Sequence, residues 1–318
     1  MKKLIIMLTL LILIVCSSSS FVLAKDIRIG FIPMTLSNEY FITMVNAAKQ
    51  EAEKLGVELL VQAGQRHGSA QEQLQIVENM ITRQVDAICI VASSSEGLIT
   101  ALGKAQRAGV PVINLDTRVD PAAVKKAGLN PIPFIGTNNY TGAKKAGARA
   151  FELVGAKAEV AILTGISGQQ NARDRRNGFY DLVEGKFKVV AEQTANWEVE
   201  QGYNVSQNIL QANPSLKLIF ASNDNMALGA YRAIKEAGLD NEIEVIGFDA
   251  VPAALESIKN GEMDSTVAQF PAEMGIKGVQ TAVNMIEGKD VDNIMYTKTL
   301  LITKENVEEF IQYLAQFK

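Results

Sequence analysis

The sequence predicts an α/β protein with two parallel sheets, each covered by helices on both faces. Ten short apolar runs rich in Val and Ile alternate with amphipathic segments along the 318 residues. The runs show little alternation of apolar and polar residues, which is typical of strands buried on both faces. Strands that alternate with helices form parallel sheets with right-handed crossovers. Because ten strands are many for one compact sheet, we expect two doubly wound lobes of about five or six strands each.

The predicted strands fall into two series of five. The first series comprises residues 27–32, 57–62, 87–92, 110–116 and 134–137. The second series comprises residues 159–164, 188–194, 217–222, 244–249 and 265–270. Residues 120–133 form the longest irregular segment, and we expect the chain to cross between the lobes there. An eight-stranded barrel is the alternative fold, and both the strand count and this change of rhythm argue against it.

The segments between the strands have the spacing and the end signals of helices. In residues 40–55, apolar side chains recur every three or four positions, which predicts a helix with one buried face. Several such segments end at a glycine before the next strand, namely Gly56, Gly109 and Gly238. Because glycine adopts the left-handed conformation that commonly follows a helix, these glycines predict helix ends.

The first 24 residues have the pattern of a secretory signal peptide. Two lysines precede an apolar run at residues 4–15, and small or short side chains lead up to Ala24. The run is too short to cross a bilayer core, which needs about 20 residues. Cleavage after Ala24 would leave 294 residues with a net charge of −6 in place of −4. We expect an exported, periplasmic protein; the alternative is a lipoprotein anchored through Cys16, although Val15 is bulkier than such processing favours.

The composition argues against several classes of function. The chain has one histidine, His67, and two cysteines, so the common zinc patterns are excluded and we expect no metal. Cys89 lies in an apolar run without a partner after cleavage, which predicts a buried, inert thiol. The net charge of −4 argues against nucleic-acid binding. Phosphate-binding glycine loops, the G-x-S-x-G elbow and H-E-x-x-H are absent, so we expect no cofactor and no enzymatic activity.

Polar and aromatic side chains follow the predicted strands. Ligands bind beyond the carboxyl ends of parallel strands, so these side chains are candidates for a site. Each also has a structural explanation: Asn38 and Asn223 are suited to capping helices, and Trp197 to a core. As a set, the amides, carboxylates, guanidinium groups and aromatic rings suit a neutral polyhydroxylated ligand better than a phosphate. The candidates are Asn38, Tyr40, Phe41, Asp116, Thr117, Arg118, Arg173, Trp197, Asn223, Asp249 and Gln269.

Five motifs carry a resemblance to a known family. They are PVINLD at 111–116, GISG at 165–168, ARDR at 172–175, NDNMALGA at 223–230 and VIGFD at 245–249. With them, the chain from Ile27 to about Leu301 resembles the periplasmic ribose-binding protein family, the substrate-binding subunits of sugar ABC importers. That family is related to the ligand-binding cores of lactose-repressor-type regulators. The resemblance implies two lobes joined by a three-stranded hinge near Thr137, Gln269 and Thr297, with the ligand in the cleft between the lobes.

The resemblance also implies lobe boundaries and the residues that contact the sugar. The N-terminal lobe would comprise residues 25–136 plus 270–297, and the C-terminal lobe residues 137–269 plus 298–318. By position, the sugar would contact Asn38, Tyr40, Phe41, Asp116, Arg173, Trp197, Asn223, Asp249 and Gln269.

This sequence departs from the ribose binders at four points. Thr117 stands where they carry Arg directly after the fourth-strand Asp, and the guanidinium comes one residue later, at Arg118. Trp197 replaces their usual Phe, Tyr40 adds a hydroxyl, and residues 120–133 are longer. These departures argue against ribose itself and leave another pentose, a hexose or a polyol as the ligand.

The resemblance implies a monomer that closes over a small sugar or polyol and then docks on an ABC permease in the inner membrane. A protein that serves mainly a chemoreceptor or a sensor kinase differs only in its partner and stays an alternative. A secreted hydrolase or isomerase that uses Asp116 and Asp249 as paired carboxylates is a further alternative. A transcriptional regulator would need about 60 residues of DNA-binding domain before Ile27, where the signal peptide stands instead.

Overall fold

Twelve strands form two separate six-stranded sheets in the computed structural model, which describes residues 27–65 and 67–317. The first sheet contains β1 (Arg28–Ile32), β2 (Glu58–Val61), β3 (Ala87–Ile90), β4 (Val112–Leu115), β5 (Phe134–Thr137) and β11 (Ile294–Thr297). The second contains β6 (Glu159–Thr164), β7 (Lys188–Thr194), β8 (Leu216–Ala221), β9 (Glu244–Asp249), β10 (Ser265–Ala268) and β12 (Leu300–Ile302). The predicted signal peptide at residues 1–24 lies outside the described residues.

Both sheets are open and nearly all parallel. The strand order is β11-β5-β4-β3-β1-β2 in the first sheet and β12-β10-β9-β8-β6-β7 in the second. Among the described strands, the one antiparallel pair is β10 with β12. Two open sheets, each with two edge strands, confirm the predicted α/β class and exclude the barrel. The first lobe is the part of the chain built on the first sheet, and the second lobe is the part built on the second sheet.

The described helices lie between the strands along the chain. They are α1 (Glu39–Leu55), α2 (Ala70–Thr82), α3 (Ile99–Arg107), α4 (Pro121–Lys126), α5 (Asn139–Val154), α6 (Gln170–Val183), α7 (Val199–Ala212), α8 (Asp224–Glu236), α9 (Pro252–Lys259), α10 (Pro271–Ile286) and α11 (Val307–Leu314). A 3₁₀ turn, Ala315–Phe317, follows α11. Within the described part of the chain, none of these helices combines the length and the apolar character needed to cross a membrane.

Strand β3 shows why the apolar runs do not alternate. All four of its residues are buried. Ala87 and Cys89 pack in one hydrophobic cluster, whereas Ile88 and Ile90 pack in another on the opposite face of the sheet. Since both faces are covered by helices, both sets of side chains are apolar. The Cys89 thiol is unpaired and fully buried, and burial raises its pKa, so the predicted inert thiol is confirmed.

The predicted glycine stops are confirmed. Gly56, Gly109 and Gly238 follow or terminate α1, α3 and α8 with φ values of 68°, 77° and 71°. The Gly56 backbone N–H donates to the carbonyls of Ala52 and Glu53, which would otherwise lack a partner at the end of α1. A side chain with a Cβ would be strained at these φ values.

The expectation that the chain crosses between lobes at residues 120–133 was wrong. β4 and β5, on either side of this segment, pair with each other in the first sheet. The segment also contains the helix α4. Asp120 caps this helix by accepting a hydrogen bond from Ala122 N at 2.9 Å, and Pro121 occupies its first turn. The prolines of this segment therefore belong to a short helix and to the loop that leads the chain back to the same sheet.

The chain passes between the two sheets at three other places. β5 belongs to the first sheet, whereas the next helix, α5, packs against α6 and the strands of the second. β10 belongs to the second sheet, whereas α10 packs against α1, β3 and β4 of the first. β11 and β12 follow each other closely and lie in different sheets. The passages lie near Thr137, Gln269 and Thr297, and the hydroxyl oxygens of Thr137 and Thr297 are 3.4 Å apart.

Two strands, β11 and β12, were not predicted. They have four and three residues, lie at sheet edges and are only partly buried. Ile294, Tyr296 and Leu300 are exposed despite being apolar or aromatic, so the usual signal of a buried apolar run is missing.

We predict that Gly229→Ala destabilises the second lobe. A Cβ at this position of α8 would overlap Val199 O and lie 2.7 Å from Tyr203 N, both backbone atoms of α7 that cannot move independently. We expect a loss of about 1–3 kcal/mol in the free energy of unfolding, measured by urea denaturation. Gly278→Ala in α10 is the control, since its Cβ would meet only side-chain atoms, at 3.2–3.6 Å. Equal stability of the two variants would contradict this account of the α7–α8 contact.

Candidate ligand-binding site

A cavity between the two lobes lies at the carboxyl ends of the parallel strands. We call it the main cavity. It provides about 320 Å³ of space between protein atoms, part of it open to solvent. Its lining residues are Met34, Asn38, Tyr40, Phe41, His67, Asp116, Thr117, Gln169, Asn171, Arg175, Trp197, Asn223, Asp249 and Gln269.

Hydrogen bonds across the cleft hold the lobes together around the main cavity. The Gln169 side-chain amide, at the start of α6 in the second lobe, donates to Ser93 O in the first lobe at 2.9 Å. The backbone N–H of Gln170 donates to Ser95 Oγ, also at 2.9 Å. Both serines follow β3. The structure therefore describes a closed arrangement in which groups from both lobes face one space.

The first lobe contributes the start of α1. Asn38 caps this helix, since its side-chain oxygen accepts a hydrogen bond from Tyr40 N at 3.0 Å. The cap fixes Tyr40 and Phe41 in the first turn, with their rings edge to face at 5.2 Å between centroids. The Asn38 amide nitrogen donates to no described residue and lines the cavity. Asn38 is therefore both a helix cap and a free donor to a ligand.

A chain of hydrogen bonds links Asp116, at the end of β4, to the passage at Gln269. The Tyr40 hydroxyl donates to Asp116 Oδ1 at 2.8 Å and lies 3.3 Å from Gln269 Oε1. Burial, with the neighbouring Asp116 charge, raises the pKa of Tyr40 well above its ordinary value, so the hydroxyl stays protonated. Thr117 Oγ1 donates to Asp116 Oδ2 at 3.1 Å. Each carboxylate oxygen keeps a lone pair for a ligand hydroxyl.

The second lobe contributes a buried ion pair between Arg175 and Asp249. Arg175 Nη1 lies 3.1 Å from Asp249 Oδ1 and 2.8 Å from Ser222 O. Its Nε donates to Asn139 Oδ1 at 2.7 Å, and its guanidinium carbon lies 4.0 Å above the Phe248 ring. The Arg175 Nη2 has no described protein partner. The guanidinium is thus held from three directions and keeps donors for a ligand.

Asp249 is protonated more readily than an ordinary carboxyl. Burial raises its pKa to about 7, although the Arg175 charge and a 2.6 Å hydrogen bond from Gln269 oppose that shift. Burial likewise raises the pKa of its neighbour Asp224 to about 6. Asp224 accepts from Thr266 Oγ1 at 2.6 Å and from Val251 N at 2.9 Å, so it supports the backbone rather than the cavity.

Trp197 forms the apolar wall of the second lobe. Its indole N–H donates to Gln169 Oε1 at 2.7 Å, and the same Gln169 amide reaches Ser93 across the cleft. The Arg175 guanidinium lies 5.4 Å from the indole ring. Asn223 caps α8 and donates to Trp197 O at 3.3 Å. A large planar surface is therefore fixed at the cavity, where it can cover the C–H face of a sugar ring.

The backbone is strained at the strand ends that form the main cavity. Among the described residues other than glycine, seven have positive φ, and five of them lie there. They are Asp116, Asn196, Trp197, Asp249 and Ala250, with φ values of 56°, 52°, 71°, 127° and 59°. Such conformations cost about 1–3 kcal/mol each and cluster at functional sites. The strained conformations therefore occur at the strand ends where side chains such as Asp116, Trp197 and Asp249 turn into the cleft.

The structure brings nine of the eleven predicted residues to the main cavity and leaves two outside it. Arg173 is exposed on α6 and donates to Ser167 O at 2.7 Å and to Gln170 Oε1 at 3.0 Å. Arg118 is half-buried and lies 5.6 Å above the Phe134 ring, outside the main cavity. The guanidinium that lines the cavity is that of Arg175.

The sequence analysis missed five lining residues. They are Met34, His67, Gln169, Asn171 and Arg175. Helical spacing carries a signal for Arg175: it lies four residues after Asn171 and four before Phe179, so the three share one face of α6. Arg173 lies on another face. His67 has no comparable signal, because its position depends on a loop from the first lobe reaching Glu198 of the second, with 3.0 Å between Nδ1 and Oε1.

The charges in the main cavity favour a neutral ligand. Two carboxylates, Asp116 and Asp249, face one guanidinium, Arg175. Because the one guanidinium is already matched by carboxyl groups, an anion such as a phosphate would find no unpaired positive charge. A hydroxyl group both donates and accepts, which matches a mixed set of carboxylate, amide and guanidinium groups. In residues 27–65 and 67–317, no cluster of three or more His, Cys, Asp or Glu side chains is arranged to hold a metal ion.

Two open α/β lobes that close over a polar cavity with aromatic walls define a two-lobed binding protein for a small polyhydroxylated ligand. Comparison with known proteins agrees with this class. Residues 29–290 match the family described as "Periplasmic binding protein domain". The chain belongs to this family of periplasmic binding proteins, on its ribose-binding-like, sugar-binding branch.

Several relatives and solved structures are similar over most of their length. The D-ribose/D-allose-binding protein of Pseudomonas aeruginosa is 34% identical over 283 residues, which are 87% of this chain and 88% of that protein. A periplasmic solute-binding protein of Actinobacillus succinogenes with bound D-allose is 37% identical with a TM-score of 0.85, over 89% and 100% of the two chains. A solute-binding protein of Bacillus halodurans with bound myo-inositol is 29% identical with a TM-score of 0.82, over 90% and 98%.

We predict that Gly165→Ala weakens ligand binding without unfolding the protein. A Cβ at Gly165 would overlap the Trp197 indole, so the ring must move into the main cavity. We expect the dissociation constant to rise at least about tenfold, measured by isothermal titration calorimetry. Gly168→Ala, in the same loop, is the control, because its Cβ would meet no atom within 4 Å. Unchanged affinity in Gly165→Ala would show that the Trp197 position does not limit binding.

The raised carboxyl pKa values predict that the ligand-free protein becomes more stable as the pH falls from about 8 to about 5. Over this range Asp249 and Asp224, with pKa values of about 7 and 6, take up protons in the folded state. Carboxyls of the unfolded chain have pKa values near about 4 and stay ionised. Because the folded state then binds more protons, this stabilisation is present at low pH and is lost as the pH rises through about 6 to 7.

Urea unfolding of the wild type and Asp249→Asn across this pH range measures the effect. We expect a shallower pH dependence for Asp249→Asn, which lacks one of the two titrating groups. Parallel curves would show that Asp249 stays ionised throughout the range.

Proposed function

We propose that this chain is the solute-binding subunit of an ABC importer, which captures a monosaccharide or polyol in the main cavity by closing its two lobes. The observation that carries the proposal is that free donors and acceptors from both lobes face one space. Asn38 and Asp116 come from the first lobe, and Arg175 and Asp249 from the second. A ligand bonded to all four would stabilise the closed arrangement over an open one.

The three passages between the sheets support closure by hinge motion. Each is short, and the passages near Thr137 and Thr297 run side by side. Rotation at a few backbone positions would separate the sheets without disturbing either core. We propose that residues 25–136 with 270–297, and residues 137–269 with 298–318, move as the two units.

The ligand that we propose is a neutral pentose, hexose or cyclic polyol. The Pseudomonas aeruginosa relative is a D-ribose/D-allose-binding protein, and the two similar structures hold D-allose and myo-inositol. A missing hydroxyl would leave a buried charged group of the cavity unpaired, so selectivity should be steep. The Tyr40 hydroxyl and the large Trp197 ring reduce the space beside Asp116, and we propose that they select against some sugars.

We propose that the chain binds its ligand without converting it. Paired-carboxylate chemistry needs one free acid and a positioned water. Here Asp116 accepts from Tyr40 and Thr117, while Asp249 accepts from Arg175 and Gln269. These hydrogen bonds hold both carboxyl groups in fixed positions.

We propose that the protein is exported by residues 1–24, acts in the periplasm as a monomer, and delivers its ligand to a membrane permease. The family assignment supports this location and partner. Delivery to a permease requires the lobes to open again, which breaks the hydrogen bonds across the cleft.

We predict that Asp249→Ala abolishes thermal stabilisation by sugars. The wild type should gain about 2.7 kcal/mol when the ligand is present at 100 times its dissociation constant. A thermal-shift screen with pentoses, hexoses, alditols and inositols measures this gain. Asp249→Ala removes the acceptor that Arg175 and Gln269 orient, so its shift should vanish.

Asp240→Ala is the matched control, because this carboxylate is exposed and does not line the main cavity. It should keep the full shift. An unchanged shift in Asp249→Ala would refute the site, and the absence of any shift in the wild type would refute the proposed ligand class.

A further inference from the structure

A second cavity lies beside the main one, between the same two lobes. We call it the side cavity. It provides about 640 Å³ of space between protein atoms, part of it open to solvent. Its lining residues are Asp116, Arg118, Val119, Asp120, Pro121, Phe134, Thr137, Asn138, Asn139, Gln170, Asn171, Asp174 and Tyr296. Asp116 and Asn171 line both cavities, so the two are adjacent.

A hydrogen bond between Thr117 and Asn171 lies where the two cavities meet. Thr117 has a short side chain, and its Oγ1 accepts a hydrogen bond from Asn171 Nδ2 at 3.2 Å. This bond joins the first lobe to the second at the boundary of the two spaces. One neutral hydrogen bond contributes only about 0.5–1.5 kcal/mol. A ligand that replaced it with hydroxyl groups could extend from the main cavity into the side cavity.

The side cavity holds polar groups that have no partner among the described residues. The Arg118 guanidinium makes no described hydrogen bond; it lies 5.6 Å above the Phe134 ring, and its charge acts on Asp174. Asp174 Oδ1 accepts from Gln170 Nε2 at 2.7 Å, while Oδ2 accepts from no described residue. The Tyr296 hydroxyl is also without a described partner. Donors and an acceptor from both lobes are therefore available at the same place.

The charges identify the kind of group that these side chains would hold. One guanidinium, Arg118, stands against three carboxylates, Asp116, Asp120 and Asp174. The Arg173 and Arg175 charges also act on Asp174, so the carboxylates are matched and no unpaired positive charge remains to hold an anionic group. Burial raises the pKa of Asp174, which shows that its carboxylate lacks solvation and would gain from a hydrogen-bond donor. Hydroxyl groups supply that donor and also accept from a guanidinium.

An aromatic surface completes the side cavity. The Tyr296 side chain on β11 is exposed and meets Phe134 edge to face, with 6.3 Å between ring centroids. An exposed aromatic face beside polar groups suits the C–H face of a sugar ring or polyol. It also gives β11 a role that its short, exposed sequence did not indicate.

We propose that the side cavity is a second subsite, which binds a neutral polyhydroxylated extension of the sugar held in the main cavity. The extension is a further sugar ring or a polyol chain, and it bonds to Arg118, Asp174 and the Tyr296 face. The ligand would then be larger than the monosaccharide of the proposed function, on which this inference rests. Since the side cavity draws on both lobes, the extension would add to the stability of the closed arrangement.

Calorimetric titration of matched sugars tests the second subsite. The probes are D-ribose, D-allose and D-galactose, each as the free sugar and as its glyceryl and glucosyl derivatives. Two or more added hydrogen bonds should make at least one derivative bind about tenfold more tightly than its parent sugar. Arg118→Gln and Asp174→Asn should each reduce this gain to less than about threefold while leaving the free sugar within about twofold of the wild type.

The controls are Arg83→Gln and Asp240→Asn, which change the same charges at exposed positions outside both cavities and should keep the gain. Because the Arg118 guanidinium has no described partner to lose, Arg118→Gln should fold normally, and its thermal unfolding verifies this. If free sugars bind and no derivative gains, or if the gain survives in both cavity variants, the subsite is refuted and the proposed function stands. If neither free sugars nor derivatives bind, both are refuted.

Discussion

The buried ion pair between Arg175 and Asp249 organises the second lobe's half of the cleft. Arg175 joins three elements that are distant in sequence, because it bonds Asn139 on α5, the Ser222 carbonyl after β8 and Asp249 at the end of β9. Removing two charges from water is costly, and a pair that is buried adds little stability unless every hydrogen bond is made. Here protein partners supply most of those bonds, and the groups left free face the cavity. The ion pair is therefore better explained by ligand recognition than by stability.

The polar network that includes this ion pair also connects the lobes. Gln269, at the passage after β10, donates to Asp249 and lies within 3.3 Å of the Tyr40 hydroxyl, which donates to Asp116. Charge and hydrogen bonding in one lobe are thus coupled to those in the other through a residue of the hinge. A ligand that changes the protonation or bonding of either carboxylate would alter the relative stability of the open and closed arrangements.

Much of the fold was predictable because it rests on local patterns. The ten predicted strands appear within two residues of their expected bounds, and glycines end the helices where expected. The expected crossing at residues 120–133 was wrong because prolines mark a short helix as readily as a loop between lobes. The sequence pattern did not predict β11 and β12. Edge strands of four and three residues bury too little side-chain surface to require an apolar run. Their existence depends on partners far away in the chain.

The sequence by itself determined the α/β class, the set of strand ends that face the main cavity, and the polar, histidine-poor chemistry of its lining. These follow from composition and from spacing along the chain. Only the tertiary structure decided that Arg175 rather than Arg173 reaches the main cavity, because helix rotation is set by what α6 packs against. It alone placed Arg118 in a neighbouring cavity with Asp174 and Tyr296. Those three residues come from a loop and a strand of the first lobe and a helix of the second, and contacts between distant segments leave no signal in a single sequence.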